Sequence, residues 1–221
     1  MRYIARAGVL AALFLITFTT ASFGQYPPVR ERLGGHVGGV ATTQGLNDTF
    51  GSGYNLTLNF TERMSARWFI DINIGAIYLG DLFGKDRVAA HADELNLIFN
   101  PVAPGIMSEM RILRLSIGPQ FVQPVSDTFN AYGTAGVGIY TVSILNDTGV
   151  RAYDFSDQHL GFHLGGGMLW RITSTWNIDM NLTAHRFFTG TGPRDLFAIY
   201  TGGAEDPVLV QLSAGIAIDL R

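Results

Sequence analysis

The sequence predicts an all-β protein, an eight-stranded antiparallel up-and-down transmembrane β-barrel. Three observations predict it. Long segments alternate apolar and polar side chains with a period of two, which is the spacing of a strand with two unlike faces. The apolar faces end in aromatic residues. The opposite faces carry Asp, Asn, Arg and His, too polar for the core of a soluble sandwich, where each unpaired group would cost about 2 kcal/mol or more. A secreted barrel with an apolar cavity needs the reverse arrangement.

Leu33 to Thr42 is the first strand, Gly-rich, with Val37 and Val40 on opposite parities so that neither face declares itself. Tyr54, Leu56, Leu58 and Phe60 alternate with Asn55, Thr57 and Asn59. After a turn over Glu62 to Ser65, Trp68, Ile70, Ile72, Ile74, Ala76 and Tyr78 alternate with Asp71, Asn73 and Gly75, making a hairpin with one greasy face. Met110 to Val122 sets Leu113, Leu115, Ile117 and Phe121 against Arg114, Ser116, Gly118 and Gln120. Asn130 to Ser143 follows, with Ala135, Val137 and Ile139 opposed to Gly136, Gly138 and Tyr140. Gln158 to Arg171 presents Leu160, Phe162, Leu164, Met168 and Trp170 on one face. Trp176 to Phe188 presents Trp176, Ile178, Met180, Leu182 and Ala184. Val208 to Leu220 closes the set with every even position apolar.

Glu94 to Phe99 resembles a ninth strand, but single-chain barrels of this kind have an even number. Without it the connections alternate long and short, as outer loops and periplasmic turns do. Residues 85–100 are therefore expected to be an insertion within the second extracellular loop. The apolar faces are expected to meet lipid between two aromatic girdles. Phe60, Trp68, Phe121, Trp170 and Trp176 fall at the periplasmic rim, and Tyr54, Tyr78, Phe162 and Phe188 at the outer rim.

Residues 1–24 read as a signal peptide. Arg2 and Arg6 precede the apolar run Ala7 to Phe18, too short for a good spanning helix, and Ser22-Phe23-Gly24 offers small residues before Gln25. The barrel domain is then 25–221. Charged residues make up 15% of the chain, the formal net charge is -3, and there is no cysteine. No basic stripe offers a nucleic-acid footprint, and no disulfide or Cys-metal site can form.

The face turned away from lipid carries Asp71, Arg114, His163, Arg171, Asp179, His185 and Asp219, expected to line the lumen. A turn centred on Ser174 places His163 opposite His185 and Arg171 diagonal to Asp179, an expected ion pair. The His pair could titrate or hold a metal. His159, four residues from His163 and so roughly 13 Å along the strand, could not join it. Lumen histidines satisfied by Asn, Thr and water are the preferred reading, and no cofactor or metal is expected. Gly34-Gly35 and Gly165-Gly166-Gly167 open no helix and read as wall packing rather than phosphate cradles.

The Tyr132-Gly133-Thr134-Ala135-Gly136-Val137-Gly138 strand, the eight-strand layout and the strand-ending C-terminus resemble the OmpA-like outer-membrane β-barrel family, with its small OmpW-like and OmpX-like members. The resemblance covers the whole chain after the signal peptide. It implies a Gram-negative outer membrane, lipid and lipopolysaccharide contacts, a barrel-assembly machinery as partner during biogenesis, and a monomer. Ser213, Gly215, Ile218 and Leu220 match the signal that this machinery recognises, although Leu220-Arg221 stands where the family commonly ends on Phe.

The role expected is structural, surface-interacting or adhesive, carried by the extracellular loops. The alternative is a porin-like narrow channel for small or hydrophobic solutes, though eight strands leave little room for an aqueous pore. A lipid A-modifying barrel enzyme ranks lower. It needs a Ser beside a His, and no Ser lies two positions after His185, where Arg186-Phe187-Phe188 follows. The protein is thus not expected to be an enzyme. Arg111 and Arg186 are placed at the outer rim, within reach of lipopolysaccharide phosphate.

Overall fold

A computed structural model describes residues 29–43, 51–80, 108–146, 155–188 and 208–220. The signal peptide expected over 1–24 and the insertion expected over 85–100 lie outside these residues.

Eight strands form the wall: β1 (Glu31–Thr42), β2 (Ser52–Arg63), β3 (Trp68–Leu79), β4 (Ser108–Pro124), β5 (Phe129–Asn146), β6 (Phe155–Arg171), β7 (Trp176–Phe187) and β8 (Val208–Leu220). Each pairs antiparallel with its neighbour in sequence, and β1 pairs with β8, closing the barrel. Closure removes the free edges that a strand would otherwise present. β3 pairs directly with β4, its neighbour among the described strands.

One end of the barrel is made by three tight reversals built alike. The amides of Met64 and Ser65 donate to the Trp68 carbonyl at 2.8 and 3.1 Å, those of Val125 and Ser126 to Phe129, and those of Ile172 and Thr173 to Trp176. Thr173 Oγ1 also accepts from the Trp176 amide at 3.1 Å. The first reversal falls over 64–67, two residues later than the sequence suggested, because Glu62 and Arg63 continue the ladder with Ile70 and Phe69. The start of β1 and the end of β8 meet at this turn end, where Glu31 pairs with Leu220. The strand ends that lead into the longer connections lie at the other end, the loop end.

Burial is inverted relative to a soluble protein. Leu56, Leu58, Ile74, Leu113, Leu115, Val137, Leu164, Leu182 and Leu212 are exposed on the outer surface, while Arg32, Asp71, Arg114, His163, Asp179, His185 and Asp219 are buried inside. The same alternation runs through every strand and settles β1, whose facing the sequence left open. Arg32, His36 and Val40 point inward, and Leu33 and Val37 outward.

Glycine makes room for large lumen groups where neighbouring strands have little space. A Cβ on Gly75 would lie 3.0 Å from Arg114 Nη2 and 3.1 Å from Thr57 Oγ1. One on Gly167 would meet the Tyr132 ring at 2.5 Å. These positions act through close approach, not through unusual backbone angles.

Candidate functional site

Three zones divide the lumen along its axis. At the loop end Val40, Ile77, Leu79, Met110, Ile112, Tyr140, Val142, Phe187 and Leu209 form one buried apolar cluster. The Tyr140 and Phe187 rings stack within it at 5.6 Å between centroids. The sequence reading made the inner face polar and missed this cluster. Parity alone contains the signal, since Ile77 and Leu79 continue the inward series Asp71, Asn73, Gly75. At the turn end Phe69, Val122, Tyr132, Leu169 and Ala217 form a second, smaller cluster.

Between them lies a polar network. Arg114 Nη1 lies on the ring nitrogens of His185, 3.1 Å from Nδ1, and Nη2 donates to Thr57 Oγ1 at 3.1 Å. Gln211 Oε1 is 3.4 Å from Nη1. Tyr140 Oη lies 3.2 Å from His185 Nδ1, joining the network to the apolar cluster above it. Asp71 Oδ2 accepts from Asn73 at 2.8 Å and from Thr134 at 3.4 Å.

The expected register of the β6–β7 hairpin is found: His163 pairs with His185, their ring centroids 5.9 Å apart on the inner face. His185 meets the Arg114 guanidinium. Among the described residues no group of three or more His, Cys, Asp or Glu could hold a metal ion.

The expected Arg171–Asp179 pair has the register it requires, with Arg171 opposite Asn177 and so diagonal to Asp179. Asp179 takes Tyr132 Oη on Oδ1 at 2.7 Å, and His36 Nε2 lies 2.9 Å from Oδ2. The carboxylate points across the lumen to β1 and β5, a contact that only barrel closure creates. Asp219 lines the lumen as expected, and its partner is Arg32, 2.7 Å away across the β1–β8 seam. Arg32, His36 and Tyr132 were not among the expected lumen residues.

All nine girdle residues face outward. Tyr54 stacks on Tyr78 at 4.9 Å and Phe162 lies 5.9 Å from Phe188 toward the loop end, while Trp68 and Phe121 meet at 5.1 Å at the turn end. Arg111 lies 5.8 Å from the Tyr78 ring, and Glu109 holds it with two hydrogen bonds of 3.0 and 3.2 Å. Along β8, Ser213 turns inward to Asn55 and Gln211, each at 3.0 Å, while Ile218 and Leu220 turn outward. A Cβ on Gly215 would run into the Gly35 carbonyl, so this glycine is required by the closing seam itself.

Neither a protein-family model nor a curated protein matches the chain. Solved structures do. The Neisserial surface protein A aligns with a TM-score of 0.56 at 10% identity, over 86% of this chain and 97% of that one. Ail, the attachment invasion locus protein of Yersinia pestis, in complex with the heparin analogue sucrose octasulfate, aligns at 0.48 and 10% identity over 86% and 98%. The outer membrane protein OprG from Pseudomonas aeruginosa aligns at 0.47 and 13% identity over 87% and 96%. At such identities the likeness is one of fold: the chain is a closed eight-stranded antiparallel barrel of the kind seen in bacterial outer-membrane proteins.

Proposed function

We propose that the protein is an integral barrel of a Gram-negative-type outer membrane, exported through a cleaved signal peptide, whose extracellular loops carry a structural, surface-interacting or adhesive role. The observation that carries this reading is the inverted burial. An apolar outer band flanked by aromatic rims suits lipid, and would be a large aggregation liability in water. The turn end faces the periplasm and the loop end the cell exterior, the usual arrangement of short and long connections. The interior supports an anchor better than a pore, because buried apolar side chains fill its loop end. The outer-rim guanidinium groups of Arg111 and Arg186 face lipopolysaccharide, although Arg111 is already neutralised by Glu109.

Two measurements test this. The folded barrel should migrate differently on gels unheated and boiled, and should require detergent. Identical migration together with solubility in plain buffer would overturn the membrane assignment. Cells displaying the protein with the 189–207 connection replaced by a Gly-Ser segment should keep the gel shift and lose surface binding. Retention of binding would move the role away from that loop.

A further inference from the structure

The lumen network leaves two opposite charges apart. Arg114 is 5% exposed, and its described partners, His185, Gln211 and Thr57, include no carboxylate. Its Nε has no hydrogen-bond partner among the described residues. Asp71 is 4% exposed and, among the described residues, is held by Asn73 and Thr134 with Oδ1 unpartnered. A buried ion without a counter-ion or a full set of hydrogen bonds is costly, so something must complete both groups.

Both residues line one cavity of about 30 Å³, and so do His163, Ser116 and Gln120. There, both ring nitrogens of His163, Ser116 Oγ and Gln120 Oε1 also lack hydrogen-bond partners among the described residues. The occupant is restricted by charge, size and hydrogen-bonding capacity. Arg114 and Asp71 cancel, so an anion would confront the carboxylate and a cation the guanidinium. Unpartnered atoms of both kinds are present, so the occupant must both donate and accept. A polar cavity needs on the order of 10–15 Å³ for each water molecule.

We infer that this cavity is a water-binding site that holds about two molecules, linking Arg114 Nε to Asp71 Oδ1 as a solvent-separated ion pair, with His163 as a further partner. The apolar cluster at the loop end lies above the site. Gly75 leaves the space in which the guanidinium lies. The inference does not depend on what the loops bind.

Crystals of the full-length protein grown in bromide decide what occupies the site. Ordered water density joining Arg114 and Asp71, without anomalous signal, is the expected result. An empty cavity or an anomalous peak beside Arg114 would overturn it, the latter assigning an anion site instead. In micelles, the Arg114 Nε–H should show cross-relaxation to long-lived water, and its absence counts against the site. The charges should also be coupled through the water. The urea midpoint of R114M/D71L should lie closer to the wild type than that of R114M or D71L alone, whereas additive shifts would show two independent charges.

Discussion

The loop end of the lumen and its middle fill the same narrow cylinder with opposite chemistry. At the loop end, side chains such as Met110, Phe187 and Leu209 exclude water by packing alone. In the middle, Arg114, His185, Tyr132, Asp179 and their neighbours fill the space through hydrogen bonds, many of them between strands distant in sequence. Apolar packing is non-directional and tolerates exchange of similar volumes, whereas a polar network is stable only when its members are satisfied together. The loop end is therefore held by packing and the middle by a set of fixed geometric constraints.

Four substitutions probe that difference, all read by urea unfolding of the protein in micelles followed by tryptophan fluorescence. The largest effect is expected for Phe187→Ala, which removes a fully buried ring stacked on Tyr140. It should cost about 3–5 kcal/mol. Bilayer recordings should show more frequent current steps for this variant if the apolar cluster is the seal; unchanged recordings would place the barrier in the polar middle. Next is Tyr132→Phe, which leaves the ring in place and deletes only the hydrogen bond to Asp179. A loss of about 2 kcal/mol is expected for a buried bond to a charged group, and no loss would mean that the His36 contact suffices. The smallest effect belongs to the outer face. Val137→Leu, on an exposed lipid-facing position, should shift stability by less than about 0.5 kcal/mol. A larger shift there would mean that this face packs against protein. Leu115→Arg on the same band is the contrasting control, expected to cost about 2–4 kcal/mol if the position is near the bilayer midplane.

The wall was legible in the sequence to a large extent. The β8 bounds Val208 and Leu220 and the turn over 172–175 agree with the structure, because a period of two fixes both the facing and the parity of a strand. The β2–β3 reversal was displaced because Glu62 and Arg63, polar residues at the rim, look like turn residues although they still pair. Local pairing was also legible: His163 opposite His185 follows from counting back from one tight turn.

Contacts across the lumen were not. Arg114 reaches His185 from β4 to β7, Asp179 reaches Tyr132 and His36 from β7 to β5 and β1, and Arg32 reaches Asp219 only at the closing seam. The sequence by itself determined the number of strands, the facing of all but β1 and the inversion of polar and apolar surfaces, since these depend on alternation within each segment. The tertiary structure decided which lumen side chains meet, because that depends on how far the sheet is staggered when it closes, a property of the whole ring of strands.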